Sequence, residues 1–413
     1  MLRQAVVLAG GLGTRLGELT RSNPKPMLSV GGRPFLEYVV WNLRRHGITR
    51  LVFCVGYLAE RIMKHFGDGS RFGVAIEYVV EREPAGTGGA LLLARPRLDE
   101  EFLVLNGDTL FDLNYLDLGL LLEETGAVAA VALRRVLDAT RYGRVRLHGS
   151  LVIGFDEKGA GGPGLVSGGV YVLRRAALDR LPGVPSSLER DLFPALAAAR
   201  SLVGRAYGGF FLDIGVPESL REAQSAVPRW RQKPAVFLDR DGVLNEDRGY
   251  VRRPEDFVWV QRAPEAVKWL NDRGYLVIVV TNQAGIARGY YTEEDFCGLM
   301  EWVQAELRRR GAHLDAVYHC PHHPEEGRGP YLAACDCRKP APGLIRRALE
   351  EWDVDVARSL MIDDREENLA AARALGIRDA VFRGGNLLEF VRGLLARDGA
   401  VSQEGTSFEE AKS

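Results

Sequence analysis

Long apolar runs are absent from this chain: no stretch approaches the roughly 18 residues a membrane-crossing helix needs, so a membrane role is not expected. Charge of one sign is missing too. Lys and Arg number 54 against 55 Asp and Glu, a formal net charge of -1, which leaves no broad cationic field to hold nucleic acid. Cysteines are scarce, five in 413 residues, too few for a disulfide framework in a chain this long. The sequence runs almost directly into an apolar segment, Gln4 to Leu8, with no basic leader or cleavage site, so a cytoplasmic location is expected.

What is present is enough length for more than one hydrophobic core. From Gln4 to about Ala226, short apolar runs such as 51–55 and 102–105 alternate with helical patterns such as 34–46, which Gly47 would end. A second series of the same rhythm starts at Ala235 and continues through 276–280 and 359–362, with helical segments at 293–310 and 343–351. Between the two lies 227–234, where two prolines and three basic residues interrupt the periodicity. The expected division is a domain at 1–226, a linker at 227–234, a second domain at 235–397, and a polar, aperiodic tail at 398–413 that reads as disordered. Self-association is left open by the sequence.

The first domain opens on a strand followed by Gly10, Gly11, Leu12, Gly13, Thr14 and Arg15. Glycines there let a tight loop bring backbone N–H groups against a polyphosphate, and Arg15 adds positive charge. The spacing is neither a Walker loop nor a dinucleotide fingerprint. About ten residues later, Asn23-Pro24-Lys25-Pro26 holds an extended backbone that would aim the Lys25 ammonium at the same phosphates.

The run from Gly10 to Met27 resembles the sugar-1-phosphate nucleotidyltransferases, whose signature joins a G-G-x-G-T-R-L loop to P-K-P. Further segments fall in that family's order: 83–89 around Gly86 and Thr87, 105–108 with Asn106 and Asp108, 155–158, 167–169 with Gly169, and 213–218 from Asp213. The resemblance implies that the loop, from Gly10 through Thr14, and Arg15 hold the nucleotide's phosphates and that Lys25 stabilises charge on the reacting one. It further implies that the turn at Gly86 faces the base, that Asp108 and Asp213 bind magnesium, and that Glu157 and Lys158 touch the sugar phosphate. Joining two anionic phosphates needs such cations.

In the second domain, Asp239 and Asp241 stand two residues apart after an apolar strand. Cleavage of a phosphate ester by a carboxylate nucleophile needs a cation to offset anion repulsion and a second acid for the departing oxygen. The Asp-Arg-Asp-Gly-Val segment resembles the haloacid-dehalogenase-like phosphatases, in which the first aspartate is phosphorylated and the second is general acid and base. Their remaining motifs follow in order: Thr281-Asn282-Gln283, Arg338-Lys339, and Asp363-Asp364. The resemblance assigns Thr281 to the phosphoryl oxygens, Lys339 to the charge at Asp239, and magnesium to Asp239, Asp241 and Asp364. Asn282, Arg288 and Arg338 are expected at the substrate. One position departs from the closest pattern, which has Gly-Asp and a second aspartate four residues on; here the residues are Asp363, Asp364 and Asn368.

Cys320, His322, Cys335 and Cys337 fall within 18 residues. Three thiolates and an imidazole suit tetrahedral zinc with no position left for water, so the zinc would be structural. His323 is the less favoured imidazole.

The resemblances together imply an α/β protein: an N-terminal Rossmann-like nucleotidyltransferase domain and a C-terminal haloacid-dehalogenase-like Rossmannoid domain with a zinc loop. Within those families the zinc loop and Thr281-to-Gly289 are similar to the heptose-1,7-bisphosphate 7-phosphatases, with histidinol phosphatases sharing much of the frame. The first half is similar to heptose-1-phosphate guanylyltransferases, with mannose-1-phosphate guanylyltransferases near. GTP and sugar phosphates are the expected small-molecule partners.

Overall fold

The computed structural model describes residues 2–140, 143–156, 159 and 161–397. It divides into two compact units, Met1–Arg231 and Gln232–Ser413.

In the first unit the chain runs through β1 (Gln4–Ala9), a small hairpin of β2 (Ser29–Val30) and β3 (Arg33–Pro34), then α1 (Phe35–Arg45), β4 (Arg50–Val55), α2 (Ala59–Phe66) and β5 (Ala75–Val80). Next come α3 (Gly86–Ala94), β6 (Glu101–Asn106), β7 (Thr109–Phe111), α4 (Tyr115–Thr125), β8 (Ala129–Val136), β9 (Val145–His148) and β10 (Leu151–Phe155). The unit closes with β11 (Gly164–Arg174), α5 (Phe193–Ala198), β12 (Leu202–Ala206), β13 (Phe211–Asp213) and α6 (Pro217–Arg231). Nine strands form one sheet in the order β5-β4-β1-β6-β11-β8-β12-β10-β9. Its first four strands are parallel, with β1 between β4 and β6. Helices continue to alternate with strands beyond this part, and β12 is parallel to β8. Beyond it β11 runs antiparallel to both β6 and β8, making the sheet mixed.

β1 is apolar and buried because both faces of a parallel sheet are covered, which is why it reads as a continuous hydrophobic run. Its end and the end of β6 lie side by side, Leu8 opposite Asn106. The loops leaving these strands thus open at the carboxyl edge of an α/β sheet, where ligands bind.

The expected linker begins later than its prolines suggest. Residues 227–231 are the last turn of α6, with Pro228 inside the helix. A proline removes one i to i−4 bond and crowds the preceding turn, yet packing overrides it here. Trp230 meets Trp41 edge-on at 5.5 Å between ring centroids and stacks on Phe210 at 5.8 Å.

The second unit is a five-stranded parallel sheet in the order β16-β15-β14-β17-β18, from β14 (Ala235–Leu238), β15 (Leu276–Asn282), β16 (Ala316–Cys320), β17 (Leu360–Asp363) and β18 (Arg378–Val381). Helices α7 (Ala263–Asn271), α8 (Ala284–Ala287), α9 (Glu293–Arg308), α10 (Gly343–Glu351), α11 (Ala370–Arg373) and α12 (Leu387–Arg397) complete it. Val236, Leu238, Val277, Val279, Leu360 and Ile362 anchor one core. Asp239, Thr281 and Asp363 stand at the ends of the three central strands. No helix among the described residues is long and apolar enough to cross a membrane.

Candidate active sites

In the first unit a cleft of about 740 Å³ is lined by Gly10, Gly11, Gly13, Thr14 and Arg15 from the loop after β1, with Lys25, Asn106 and Asp108 beside them. Gly13 has φ 66°, the left-handed conformation that glycine adopts at no steric cost. Lys25 is buried, and its Nζ contacts the Asp108 carboxylate and lies 3.5 Å from Asp213 Oδ1. The structure so brings the predicted lysine and both predicted magnesium carboxylates to one point, although Asp108 and Asp213 are 105 residues apart in sequence. They meet because β7 and β13 pair, with Thr109 opposite Asp213. Burial raises the Asp213 pKa, as does the Asp108 charge, against the opposing pull of Lys25. Two carboxylates crowded this way favour a bound cation.

The turn expected to face a base is braced by a segment that sequence reasoning missed. Gly86 has φ 75°, and the N–H groups of Gly88 and Gly89 donate to the Ser186 carbonyl at 2.9 and 3.1 Å. Thr87 lines the cleft, but its hydroxyl donates to Glu189 at 3.0 Å and accepts from the Leu188 N–H at 2.9 Å, so it holds the turn to the chain after Ser186. Gly169, at φ 71°, lies against the Asn106 amide, where a Cβ would meet Nδ2 at 2.8 Å. Glu157 and Lys158 lie outside the described residues, as does the expected tail.

Glu81, just past β5, carries no motif and was not anticipated. Its carboxylate lines the cleft and packs on Gly10, where any Cβ would collide with it. Oε2 accepts the Ala85 N–H at 3.2 Å, and burial raises the pKa. The only sequence signal was a charged residue at the end of an exposed-edge strand beside the Gly86 turn.

In the second unit, Lys339 Nζ lies 2.8 Å from Asp239 Oδ2 and 2.6 Å from Asp363 Oδ2, with its side chain buried. Burial pushes the Asp239 carboxyl up to about 7, against the lowering effect of Lys339. For Lys339 the balance is reversed: burial favours the neutral amine, but the Asp239 and Asp363 charges win and raise its pKa. Asp364, half-buried, is pushed up to about 6 by burial and by the Asp363 charge.

Asp241, the other expected magnesium residue, is held by its neighbours. Arg240 grips its carboxylate through Nη2 at 2.7 and 2.8 Å, Asn245 Nδ2 donates at 3.0 Å and Gln283 Nε2 at 3.1 Å. The carboxylates close enough to share an ion are Asp239, Asp363 and Asp364. Asp241 is not among them; its carboxylate is held by Arg240, Asn245 and Gln283. Gln283 also donates to Thr281 Oγ1 at 2.9 Å and accepts from Tyr291 Oη at 2.6 Å, so it links the second aspartate to the threonine. Asn282 spends both side-chain groups on the Lys339 backbone, each at 3.0 Å, and so positions the lysine's chain. Arg288 pairs with Glu326 and lies 5.6 Å from the Tyr250 ring centroid.

Cys320, His322, Cys335 and Cys337 converge as expected. Their sulfurs lie 3.2 to 3.5 Å apart, and His322 Nδ1 is 3.4 Å from Cys337 Sγ and 3.8 Å from Cys320 Sγ. Bonds of about 2.3 Å in a tetrahedron put thiolates roughly 3.8 Å apart, and a disulfide would need about 2.0 Å. The donor set therefore fits a zinc ion. His323 instead accepts the Glu325 and Glu326 N–H groups through Nδ1 at 3.3 and 3.0 Å. Arg338 donates to the His322 carbonyl at 3.2 Å, tying the cluster to the residue before Lys339.

Comparison with known proteins divides along the same line. A family profile described as nucleotidyl transferase matches residues 4–229, and one described as HAD-hydrolase-like matches 336–388. The D-glycero-beta-D-manno-heptose-1,7-bisphosphate 7-phosphatase of Haemophilus ducreyi is 47% identical over 150 residues, 36% of this chain and 82% of the relative. The D-glycero-alpha-D-manno-heptose 1-phosphate guanylyltransferase of Aneurinibacillus thermoaerophilus is 35% identical over 232 residues, 55% of this chain and 99% of the relative. The crystal structure of HddC from Yersinia pseudotuberculosis is 30% identical, covering 54% of this chain and 99% of that one with a TM-score of 0.49.

Proposed function

The chain belongs to the nucleotidyl transferase family through its first unit and to the HAD-like hydrolases through its second, and from that premise we propose that it is a bifunctional enzyme of GDP-heptose synthesis. The second unit removes the 7-phosphate of D-glycero-D-manno-heptose 1,7-bisphosphate. The first transfers GMP from GTP to the resulting heptose 1-phosphate and releases pyrophosphate. The observation that carries this reading is the pairing on one chain of two phosphate sites in which the product of one is the substrate of the other.

At the phosphatase site, Asp239 is the nucleophile: its carboxylate oxygen bonds to phosphorus as the bond to the sugar oxygen breaks. Asp241 donates a proton to that oxygen and later takes one from the water that frees Asp239. Lys339 and Thr281 offset and orient the phosphoryl oxygens. Asp239 and Asp364 would hold magnesium, which supplies further charge neutralisation. The zinc ion proposed for Cys320, His322, Cys335 and Cys337 is structural and steadies the segment bearing Arg338 and Lys339.

At the transferase site the N–H groups of the 10–14 loop and Arg15 hold the phosphates. Lys25 offsets charge as a sugar-phosphate oxygen attacks the α-phosphorus, with Asp108 and Asp213 placed to hold magnesium. A smaller hollow of about 230 Å³ shares Arg15 and Gly215 with the main cleft and is lined by Arg134, Asp213 and Glu222, a place for the sugar phosphate. Glu81 supports guanine as the base. A carboxylate presents two acceptors side by side, the complement of guanine's N1–H and 2-amino donors, whereas adenine offers one donor and one acceptor.

The relatives' names differ in anomer, beta for the phosphatase and alpha for the guanylyltransferase. Consecutive steps on one sugar require a single configuration, so the second unit here is proposed to accept the α-bisphosphate.

Supplying each anomer of the bisphosphate with GTP and magnesium, and separating the products, tests the assignment. Phosphate, pyrophosphate and GDP-heptose should appear from the α-anomer. Asp239→Asn should make GDP-heptose from heptose 1-phosphate but not from the bisphosphate. Turnover of histidinol phosphate and mannose 1-phosphate with none of the heptose substrates would overturn the pathway while keeping the two reaction types.

A further inference from the structure

Gln283 is a neutral side chain among charged ones, and its partners fix which way it faces. It is buried between β15 and α8, and its backbone N–H donates to the Cys320 carbonyl at 2.8 Å. An ionised carboxylate only accepts hydrogen bonds, so the group that Gln283 turns to Asp241 Oδ2, 3.1 Å away, is its NH₂. The same NH₂ donates to Thr281 Oγ1 at 2.9 Å. Oε1 is left for Tyr291, whose hydroxyl donates to it at 2.6 Å. Tyr291 is itself buried, and its ring lies against Gly285, where a Cβ would fall 2.1 Å from Cε1. Burial pushes the Tyr291 hydroxyl up to about 12, which keeps it a donor at neutral pH.

We infer that Gln283 is a positioning residue of the phosphatase site, setting the spacing between Asp241 and Thr281, and that Tyr291 holds its amide in one orientation throughout the catalytic cycle. The two ends of an amide differ in polarity but hardly in shape, so packing alone does not choose between them. As a carboxylate, Asp241 makes the choice. Once it carries a proton it donates as well as accepts, and it no longer dictates which end faces it. An amide turned over in that half of the cycle would present Oε1 to Thr281 and draw the threonine's hydrogen away from the phosphoryl oxygens. Tyr291 opposes the turn, because it would leave a buried hydroxyl hydrogen without an acceptor. The inference rests on the reading of Asp241 as the acid and base of a phosphatase and is independent of the sugar.

The test is a double-mutant cycle in the full chain: Gln283→Met, Tyr291→Phe, and the two together. Phosphate release is measured from heptose 1,7-bisphosphate, or from histidinol phosphate should the wild type prefer it, in H₂O and in D₂O. Nucleotidyl transfer and the melting temperature of the same preparations report folding. Gln283→Met should lower kcat about 10- to 100-fold, the weight of a hydrogen bond to a charged group, with KM changed less than about threefold. Tyr291→Phe should lower kcat roughly three- to tenfold, and in the Gln283→Met background it should cost nothing further. Both single variants should show a larger solvent isotope effect on kcat than wild type, because a misplaced Asp241 slows the proton transfer. Equal losses from Tyr291→Phe with and without Gln283 would make Tyr291 a packing residue and overturn the inference. So would either single variant with the wild-type kcat or the wild-type isotope effect, and Tyr291→Phe decides alone if Gln283→Met does not fold. A wild-type chain that releases no phosphate from either ester would instead sink the phosphatase reading on which this one stands.

Discussion

Exchanging Glu81 for Gln should change which base the first unit accepts while leaving the cleft standing. The glutamine keeps the length of the side chain and one acceptor, so the bond from the Ala85 N–H at 3.2 Å survives. What is lost is the second acceptor, replaced by an NH₂ that meets a guanine donor head-on. A hydrogen bond to a charged group is worth about 1.5–3 kcal/mol, and each 1.4 kcal/mol is about tenfold in kcat/KM, so use of GTP should fall roughly 10- to 150-fold. Inosine triphosphate, which lacks the 2-amino group, sharpens the assay. Wild type should prefer GTP over it by about tenfold or more, and in Glu81→Gln the preference should shrink to within a few-fold, as one lost donor no longer matters. Stability sets the control. Burial raises the Glu81 pKa, so ionisation above the unfolded value opposes folding, and a neutral glutamine should leave the melting temperature at pH 7.5 unchanged or higher. Initial rates with GTP, ITP, ATP and UTP decide the matter. A variant that folds and keeps the wild-type order and spacing of all four would refute guanine reading by Glu81.

Three further outcomes are expected. Lys25→Met should cut nucleotidyl transfer about 100-fold or more by removing the cation between Asp108 and Asp213, with phosphate release at the other unit unchanged; comparable loss in both assays would point to misfolding. Metal analysis should find one zinc per chain, and Cys337→Ser should lower both the zinc content and the melting temperature of the second unit, because binding energy at a structural site is folding energy; zinc retained in full by the variant would contradict the site. Magnesium should bind the second unit more weakly at pH 6 than at pH 8. With Asp239 pushed up to about 7 and Asp364 to about 6, protons occupy the carboxylates as pH falls and the cation must displace them. Calorimetry in buffers of different ionisation enthalpy would register the released protons, and affinity flat across that range would count against the carboxylate site.

Legibility followed the chemistry of strand ends. Asp108, Asp239, Thr281 and Asp363 could be placed from sequence because a parallel sheet delivers the residues after its apolar strands to one edge. The cysteine and histidine cluster was legible because ligand spacing within a short segment nearly determines convergence. What escaped was settled by contacts remote in sequence. Pro228 reads as a breaker, and only the Trp230 contacts to Trp41 and Phe210 explain a helix that runs through it. Thr87 reads as part of a turn that faces a base, and the Leu188 and Glu189 groups that hold its hydroxyl arrive from a hundred residues away. Asp241 shows the limit most clearly. Its type and spacing announce a carboxylate for the reaction, yet whether its oxygens face an ion or a proton depends on Arg240, Asn245 and Gln283. Those partners hold its carboxylate from three directions, whereas Asp239, Asp363 and Asp364 lie close enough to one another to share an ion. A motif thus names the groups at a site, and the competition among their neighbours for the same oxygens divides the labour among them.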